Sequence, residues 1–310
     1  MDHRKALDGQ AMAIMGVLCL IWGLQQVVLK AAAADITPLM QIALRTGVAA
    51  VLVGLLMARR GERLRLSDGT WRPGLLVGFL FALEFLLVGE GLRFTTAAHM
   101  VVFLYTAPIF VALGLHWKLP AERLAALQWF GVALAFGGIV IAFFGRGQPG
   151  GDLATMLWGD FLALGAGIAW AATTVAVRLS SLAREPATKT LFYQLAVSFV
   201  LLMLATIALG QTGFKSTPLA WGSLLFQSLV VSFASYLTWF WLLRHYLASR
   251  LGIFSFLTPL FGVAFGVWLL DEPLEPNFLV GTLLVCAGIV LVSGYGWIKT
   301  LTSSSPTRTT

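Results

Sequence analysis

Apolar residues come along this chain in runs of about 20, and the runs follow neither the alternation of a half-buried strand nor the single stripe of a surface helix. A helix needs about 20 such residues to cross roughly 30 Å of hydrocarbon. On that rule the spans fall near residues 11–31, 38–58, 73–93, 98–117, 126–145, 158–178, 189–210, 219–243, 249–270 and 277–297. Connections such as 95–97 and the proline-bearing 271–276 are so short that the helices they join must be antiparallel. The first apolar run is too long, and too poor in a small-residue cleavage site, for a removable leader, so it is read as the first span. The pattern predicts an all-α polytopic membrane protein with ten transmembrane helices.

Composition agrees: 58% of residues are hydrophobic and 11% charged, where a soluble domain carries roughly a quarter charged. The net charge of +7 matters through its distribution. Of the 21 Lys and Arg residues, 16 fall on the side of the termini, four on the other side, and Arg45 lies inside a span. By the positive-inside rule this places both termini in the cytoplasm. The cluster Arg59, Arg60, Arg63 and Arg65 then borders the cytoplasmic leaflet, where anionic headgroups account for it without nucleic acid. Cys19 and Cys286 both fall within spans and read as packing residues rather than a disulfide framework.

The two halves align at a shift of about 150 residues. Leu92-Arg93 falls on Leu243-Arg244, Ala97 on Ala248, Pro108 on Pro259 and Trp117 on Trp268. After a one-residue gap Gly131 falls on Gly281 and Gly138-Ile139-Val140 on Gly288-Ile289-Val290; nearer the starts, Trp22 falls on Trp170 and Lys30 on Arg178. The expected organisation is a first five-helix repeat over residues 1–148 and a second over 149–310. An odd number of spans per repeat makes the second inverted, with a central cavity between the halves near the bilayer midplane.

The five-plus-five plan, Trp22-Gly23 in span one, the central prolines and the Asp271-Glu272-Pro273-Leu274 turn followed by Gly281 and Gly288 resemble the drug/metabolite transporter superfamily, specifically its EamA family. The resemblance covers almost the whole chain and looks closest to the YddG-type bacterial exporters. It implies export of aromatic amino acids and related metabolites across the bacterial inner membrane.

Candidate site residues follow from the spans. Trp22, Gln26 and Lys30 share one face of span one, and Trp170, Thr174 and Arg178 repeat that spacing in span six. Lys30 has two readings, a snorkelling cation or a contact for substrate charge. Glu84 lies deep in span three, where a carboxylate costs on the order of 3 kcal/mol, so it either meets substrate or proton or pairs with Arg45. Tyr105, Trp239 and Phe256 are the further ring candidates, with Ser235 beside them at the repeat position of Glu84. Pro108 and Pro259 interrupt spans four and nine and are expected as a hinge or a bent cavity wall. Gly131, Gly138, Gly281 and Gly288 are expected to let spans five and ten approach closely, or to form a dimer contact. His99 reads as a satisfied polar residue, and no metal set is evident.

The absence of a Gly-x-x-x-x-Gly-Lys-[Ser/Thr] loop excludes ATP hydrolysis, and no clustered catalytic set, cofactor or enzyme activity is implied. The expected function is a secondary active or facilitative exporter of amino acids and small metabolites working by alternating access. Export of lipophilic cations is the alternative, with Glu84 as the acidic contact. The oligomeric state is open between monomer and dimer.

Overall fold

The computed structural model describes residues 8–62, 69–118, 123–144, 153–246 and 254–303. Of the basic cluster, Arg63 and Arg65 lie outside the described residues. The chain is a bundle of helices: α1 (Gly9–Ala31), α2 (Pro38–Arg59), α3 (Trp71–Gly91), α4 (Ala97–Leu104), α5 (Ala107–Lys118), α6 (Ala126–Phe144), α7 (Leu153–Arg178), α8 (Ala187–Ala208), α9 (Pro218–Leu225), α10 (Tyr236–His245), α11 (Leu257–Leu270) and α12 (Pro276–Ser303). A π-helical segment, Phe226–Ser235, joins α9 to α10 without a break. No strand occurs among the described residues beyond an isolated antiparallel bridge between Ile36 and Phe214.

Seven helical stretches are long and apolar enough to cross a membrane: α1, α2, α3, α4 with α5 (Ala97–Lys118), α7, α8 and Pro218–Trp239. Three shorter apolar helices, Ala126–Ala142, Leu257–Leu270 and Pro276–Val292, occupy the other expected spans. The protein is therefore a multi-pass membrane protein. Its surface is what a hydrocarbon solvent demands. Val51, Phe130, Leu204 and Ile207 face outward, while Gln41, Arg45 and Asp160 are fully buried. Trp117 and Trp268, which the repeat pairs, are each 75% exposed.

Glycines set the closest helix approaches. On α6 and α12, a Cβ at Gly138 would lie 2.6 Å from the Gly281 carbonyl, and one at Gly131 3.1 Å from the Gly288 carbonyl. These glycines pack α6 antiparallel to α12 within one chain, the close approach expected of them. On α2, Gly47 faces Phe199 and Gly54 faces Phe192, which runs α8 antiparallel to α2.

The surroundings of the two prolines differ in form. Span four divides into α4 and α5 at Tyr105 and Thr106, just before Pro108. The Phe103 carbonyl at this break accepts twice from Thr106, from its hydroxyl at 2.6 Å and from its backbone N–H at 3.2 Å. Pro259 sits in the first turn of α11, where a missing N–H costs little, after the 3-10 turn Phe254–Phe256. Each break faces a glycine of a first span. A Cβ at Gly167 would meet the Phe103 and Leu104 carbonyls at 2.9 and 3.0 Å, and one at Gly23 the Thr258 carbonyl at 3.0 Å.

One end of the bundle is tied by polar loops. Thr217 Oγ1 donates to Asp35 Oδ2 at 2.7 Å, Thr37 Oγ1 to the Gln211 carbonyl at 2.5 Å, and Gln211 to Glu90. At the same end the Glu272 carboxylate accepts from the amides of Ala97 and Ala98 at 2.6 and 2.9 Å, capping α4. Asp160 accepts from Thr95 and contacts His99 Nδ1 at 3.1 Å, and the His99 ring stacks on Phe278 at 3.7 Å. At the other end Asp8 caps α1 through Ala11 N and accepts from Tyr246 Oη at 2.9 Å. That hydrogen bond holds the Tyr246 phenol above its usual titration range.

Candidate functional site

The buried interior of the bundle holds a cluster of polar side chains contributed by α1, α2, α3 and the π segment. Its frame is a parallel zipper between α2 and the α9–π stretch. Asp35 meets Thr217, Gln41 Nε2 donates to Ser223, and Arg45 Nη1 donates to Gln227 Oε1 at 2.5 Å. Each pair is separated by 182 residues, so the two stretches run in the same direction and in register. Gln227 Nε2 in turn donates to the Gln25 carbonyl at 2.8 Å, fastening α1 to the same ladder. The π segment widens the turn and brings Gln227, Ser228, Ser232 and Ser235 onto the buried side.

Arg45 is the largest fully buried side chain, and its guanidinium lies over the Phe85 ring at 4.4 Å. Among the described residues Nε and Nη2 have no hydrogen-bond partner, and neither does Glu84 Oε2 on the helix turn beside Phe85. Arg45 and Glu84 lie within electrostatic range of one another. Yet among the described residues no ion pair joins Arg45 to Glu84. Among the described residues the same region holds further unpartnered buried oxygens on Gln26, Gln41, Ser228 and Ser232. Most buried polar groups in proteins are satisfied, so this concentration sets the interior of the bundle apart.

Two aromatic pairs flank the cluster. Trp22 meets Trp239 edge to face at 5.8 Å, and its indole N–H donates to Ser235 Oγ at 2.9 Å. Tyr105, at the break between α4 and α5, meets Trp170 edge to face at 5.1 Å. An apolar groove of about 290 Å³ between α1 and the π segment is lined by Val17, Leu18, Ile21, Val230, Ala234 and Ser235.

Other expected site residues lie elsewhere. Lys30 Nζ donates to the Leu92 and Thr95 carbonyls at 2.5 and 2.8 Å, so it caps the C-terminus of α3 at the tied end. The Thr174 hydroxyl back-bonds to the Trp170 carbonyl at 3.1 Å. Pro108 is half-buried and Pro259 buried, each at its break. The side chain of Phe256 lies outside the described residues. Sequence reasoning passed over Gln41, Ser223 and Gln227, although both partners of the zipper sit at i, i+4 spacing inside apolar spans. It also passed over Asp160, an ionisable residue within a span.

Comparison with known proteins covers nearly the whole chain. The model of the EamA-like transporter family matches residues 10–144 and again 157–294. The "Uncharacterized transporter YoaV" of Bacillus subtilis (strain 168) is 26% identical, over 88% of this chain and 92% of that protein. The "Probable amino-acid metabolite efflux pump" of Escherichia coli (strain K12) is 28% identical, over 92% and 96% respectively. A protein crystal structure 19% identical in sequence superposes with a TM-score of 0.66, covering 94% of this chain and 99% of the other; the likeness is one of fold.

Proposed function

Because this chain belongs to the EamA-like transporter family, we propose that it exports amino acids, aromatic and hydrophobic ones first, and related small metabolites across the bacterial inner membrane. The observation that carries the reading is the buried cluster around Arg45 and Glu84, whose unpartnered polar atoms lie between helices of both halves of the chain. In a membrane interior such groups are costly unless a ligand or a transported ion meets them. The similarity to an amino-acid metabolite efflux pump agrees with it. Trp22, Trp239, Tyr105 and Trp170 then supply apolar walls for the substrate side chain, with Gln26 and Glu84 at the polar end and Thr174 at the margin. Pro108 and Pro259 place the bends about which the halves move.

The mechanism we propose is alternating access by two inverted repeats, 1–148 and 149–310, with ten crossings and both termini cytoplasmic. Three features support it. The family model matches one segment in each half. Exchanging the halves turns the Gly131–Gly288 contact into Gly281–Gly138, which is the other contact of the same helix pair. The parallel run of α2 and α9 requires an even number of crossings between Pro38 and Pro218, and α2 to α8 supply six if the short α6 crosses.

Uptake of labelled amino acids into everted membrane vesicles tests the reading, with and without an imposed pH gradient. Accumulation above empty-vector vesicles is expected. Transport of quaternary amines with no amino acid accepted would overturn it in favour of lipophilic-cation export.

A further inference from the structure

We infer that the free edge of the Arg45 guanidinium binds the substrate's α-carboxylate and Glu84 its α-ammonium, so that the site selects zwitterions in which both groups are unmodified. The inference rests on the export reading and narrows its substrate class. A guanidinium offers two bidentate edges and two faces, and here the edge formed by Nε and Nη2 is open among the described residues. Nη1 is taken by Gln227 Oε1 at 2.5 Å, and a face is covered by Phe85 at 4.4 Å. Nε and Nη2, which have no partner, are the two nitrogens whose N–H bonds point the same way along the remaining edge. That edge is the fork that two carboxylate oxygens fit, with parallel hydrogen bonds. Gln227 is itself held by the Gln25 carbonyl at 2.8 Å, so the guanidinium is fixed in plane and in rotation. A pre-oriented fork loses little freedom on binding.

The counter-charge is placed to match. Glu84 precedes Phe85, the residue beneath the guanidinium, and Glu84 Oε2 has no partner. Among the described residues the two groups do not close on one another. An ion pair between them would satisfy both, and a buried pair that stays open retains the desolvation cost of each partner. A molecule carrying a carboxylate and an ammonium on one carbon satisfies both ends at once and adds no net charge to the membrane interior. An anion without an ammonium leaves Glu84 unanswered, and an amine without a carboxylate leaves the fork unanswered. Arg45 is fully buried and Glu84 is 5% exposed, so neither end has bulk water as a substitute. The remaining oxygens of Gln26, Ser228 and Ser232 extend the polar lining toward α1 and the π segment.

The test uses the full-length protein in proteoliposomes with labelled phenylalanine, or whichever amino acid the export screen finds. Competitors are its methyl ester, its N-acetyl derivative and the amine and acid that remain when one group is deleted. All four are expected to compete roughly tenfold to a hundredfold more weakly than the parent, as loss of a charge-assisted contact implies. Arg45→Lys keeps a charge but removes the fork, and is expected to erase the penalty for the methyl ester while leaving that for the N-acetyl derivative. Glu84→Gln is expected to do the reverse. An ester or N-acetyl derivative competing within about twofold of the parent on the wild-type protein overturns the inference and leaves export standing, and this arm needs no variant to fold. Folded variants that keep both penalties also overturn it. Should no amino acid be transported at all, the export reading falls and this inference with it.

Discussion

The guanidinium carbon of Arg45 lies 4.4 Å from the centroid of the Phe85 ring, and this contact joins a buried cation on α2 to the helix that carries Glu84. A desolvated cation over an aromatic face gains about 2 kcal/mol. Phe85→Leu preserves most of the apolar volume and removes the ring's negative face. The half-saturating substrate concentration in vesicles is expected to rise about tenfold or more, with membrane insertion unchanged. Equal values for variant and wild type would mean that the ring only fills space.

Trp22 is tied on two sides, by its N–H to Ser235 Oγ at 2.9 Å and by the edge of Trp239 at 5.8 Å. Trp170 has the corresponding place in the second half, against Tyr105 at 5.1 Å. Trp22→Ala and Trp170→Ala are expected to cut export at least about tenfold while protein yield in the membrane holds, since each ring is half-buried beside the polar cluster. Trp22→Phe keeps an aromatic wall and loses the donor, so its loss should be smaller. Wild-type rates in both alanine variants would remove the rings from the transport path.

The helical plan was legible because it follows from apolar run length, which depends on the bilayer and on no particular partner. The glycine seam was legible for a similar reason: Gly131 and Gly138 repeat at Gly281 and Gly288, and small residues on one face have few uses other than close approach. The zipper was harder to see. Gln41 with Arg45 and Ser223 with Gln227 each show i, i+4 spacing, but the shared offset of 182 acquires meaning only once α2 and α9 are known to be parallel neighbours. The π segment has no local marker, since neither proline nor glycine occurs between Phe226 and Ser235. Lys30 was ambiguous because a span-end cation serves headgroup, substrate or carbonyls equally well in sequence. Its bonds to the Leu92 and Thr95 carbonyls depend on where the α3–α4 turn lies in space.

Gly137 and Gly138 are neighbours in sequence with opposite surroundings. A Cβ at Gly138 would lie 2.6 Å from the Gly281 carbonyl and 2.9 Å from Val285 N, whereas nothing lies within 4 Å of one at Gly137. The obstruction at Gly138 is backbone, which cannot rotate away, so α6 and α12 would have to separate. Gly138→Ala is expected to destabilise the protein by about 1–3 kcal/mol, read as a lower unfolding temperature in detergent. Gly137→Ala should be neutral or slightly stabilising, because alanine is the better helix former. Equal shifts in the two variants would show that the seam is not tight.

The amides of Ala97 and Ala98 begin α4, and the Glu272 carboxylate that accepts them arrives from the loop before α12, in the other half of the chain. An anion at a helix N-terminus gains both from hydrogen bonds and from the helix dipole. A cap within one helix would be indifferent to motion between the halves; this cap must break or move if that end of the bundle opens. Glu272→Gln retains one acceptor and loses the charge, which should weaken the closed arrangement by about 1 kcal/mol or more. A reporter cysteine at Ala32, fully buried at the same end, can be placed in a protein whose Cys19 and Cys286 are replaced by alanine. Its labelling by a membrane-impermeant maleimide is expected to rise about fivefold or more in the Glu272→Gln protein. A cysteine at Ala11, fully buried in the first turn of α1 at the opposite end, should label no faster, since Glu272 does not hold that end. Unchanged labelling at Ala32 would make the Glu272 contact a cap of α4 alone, with no part in closing the bundle.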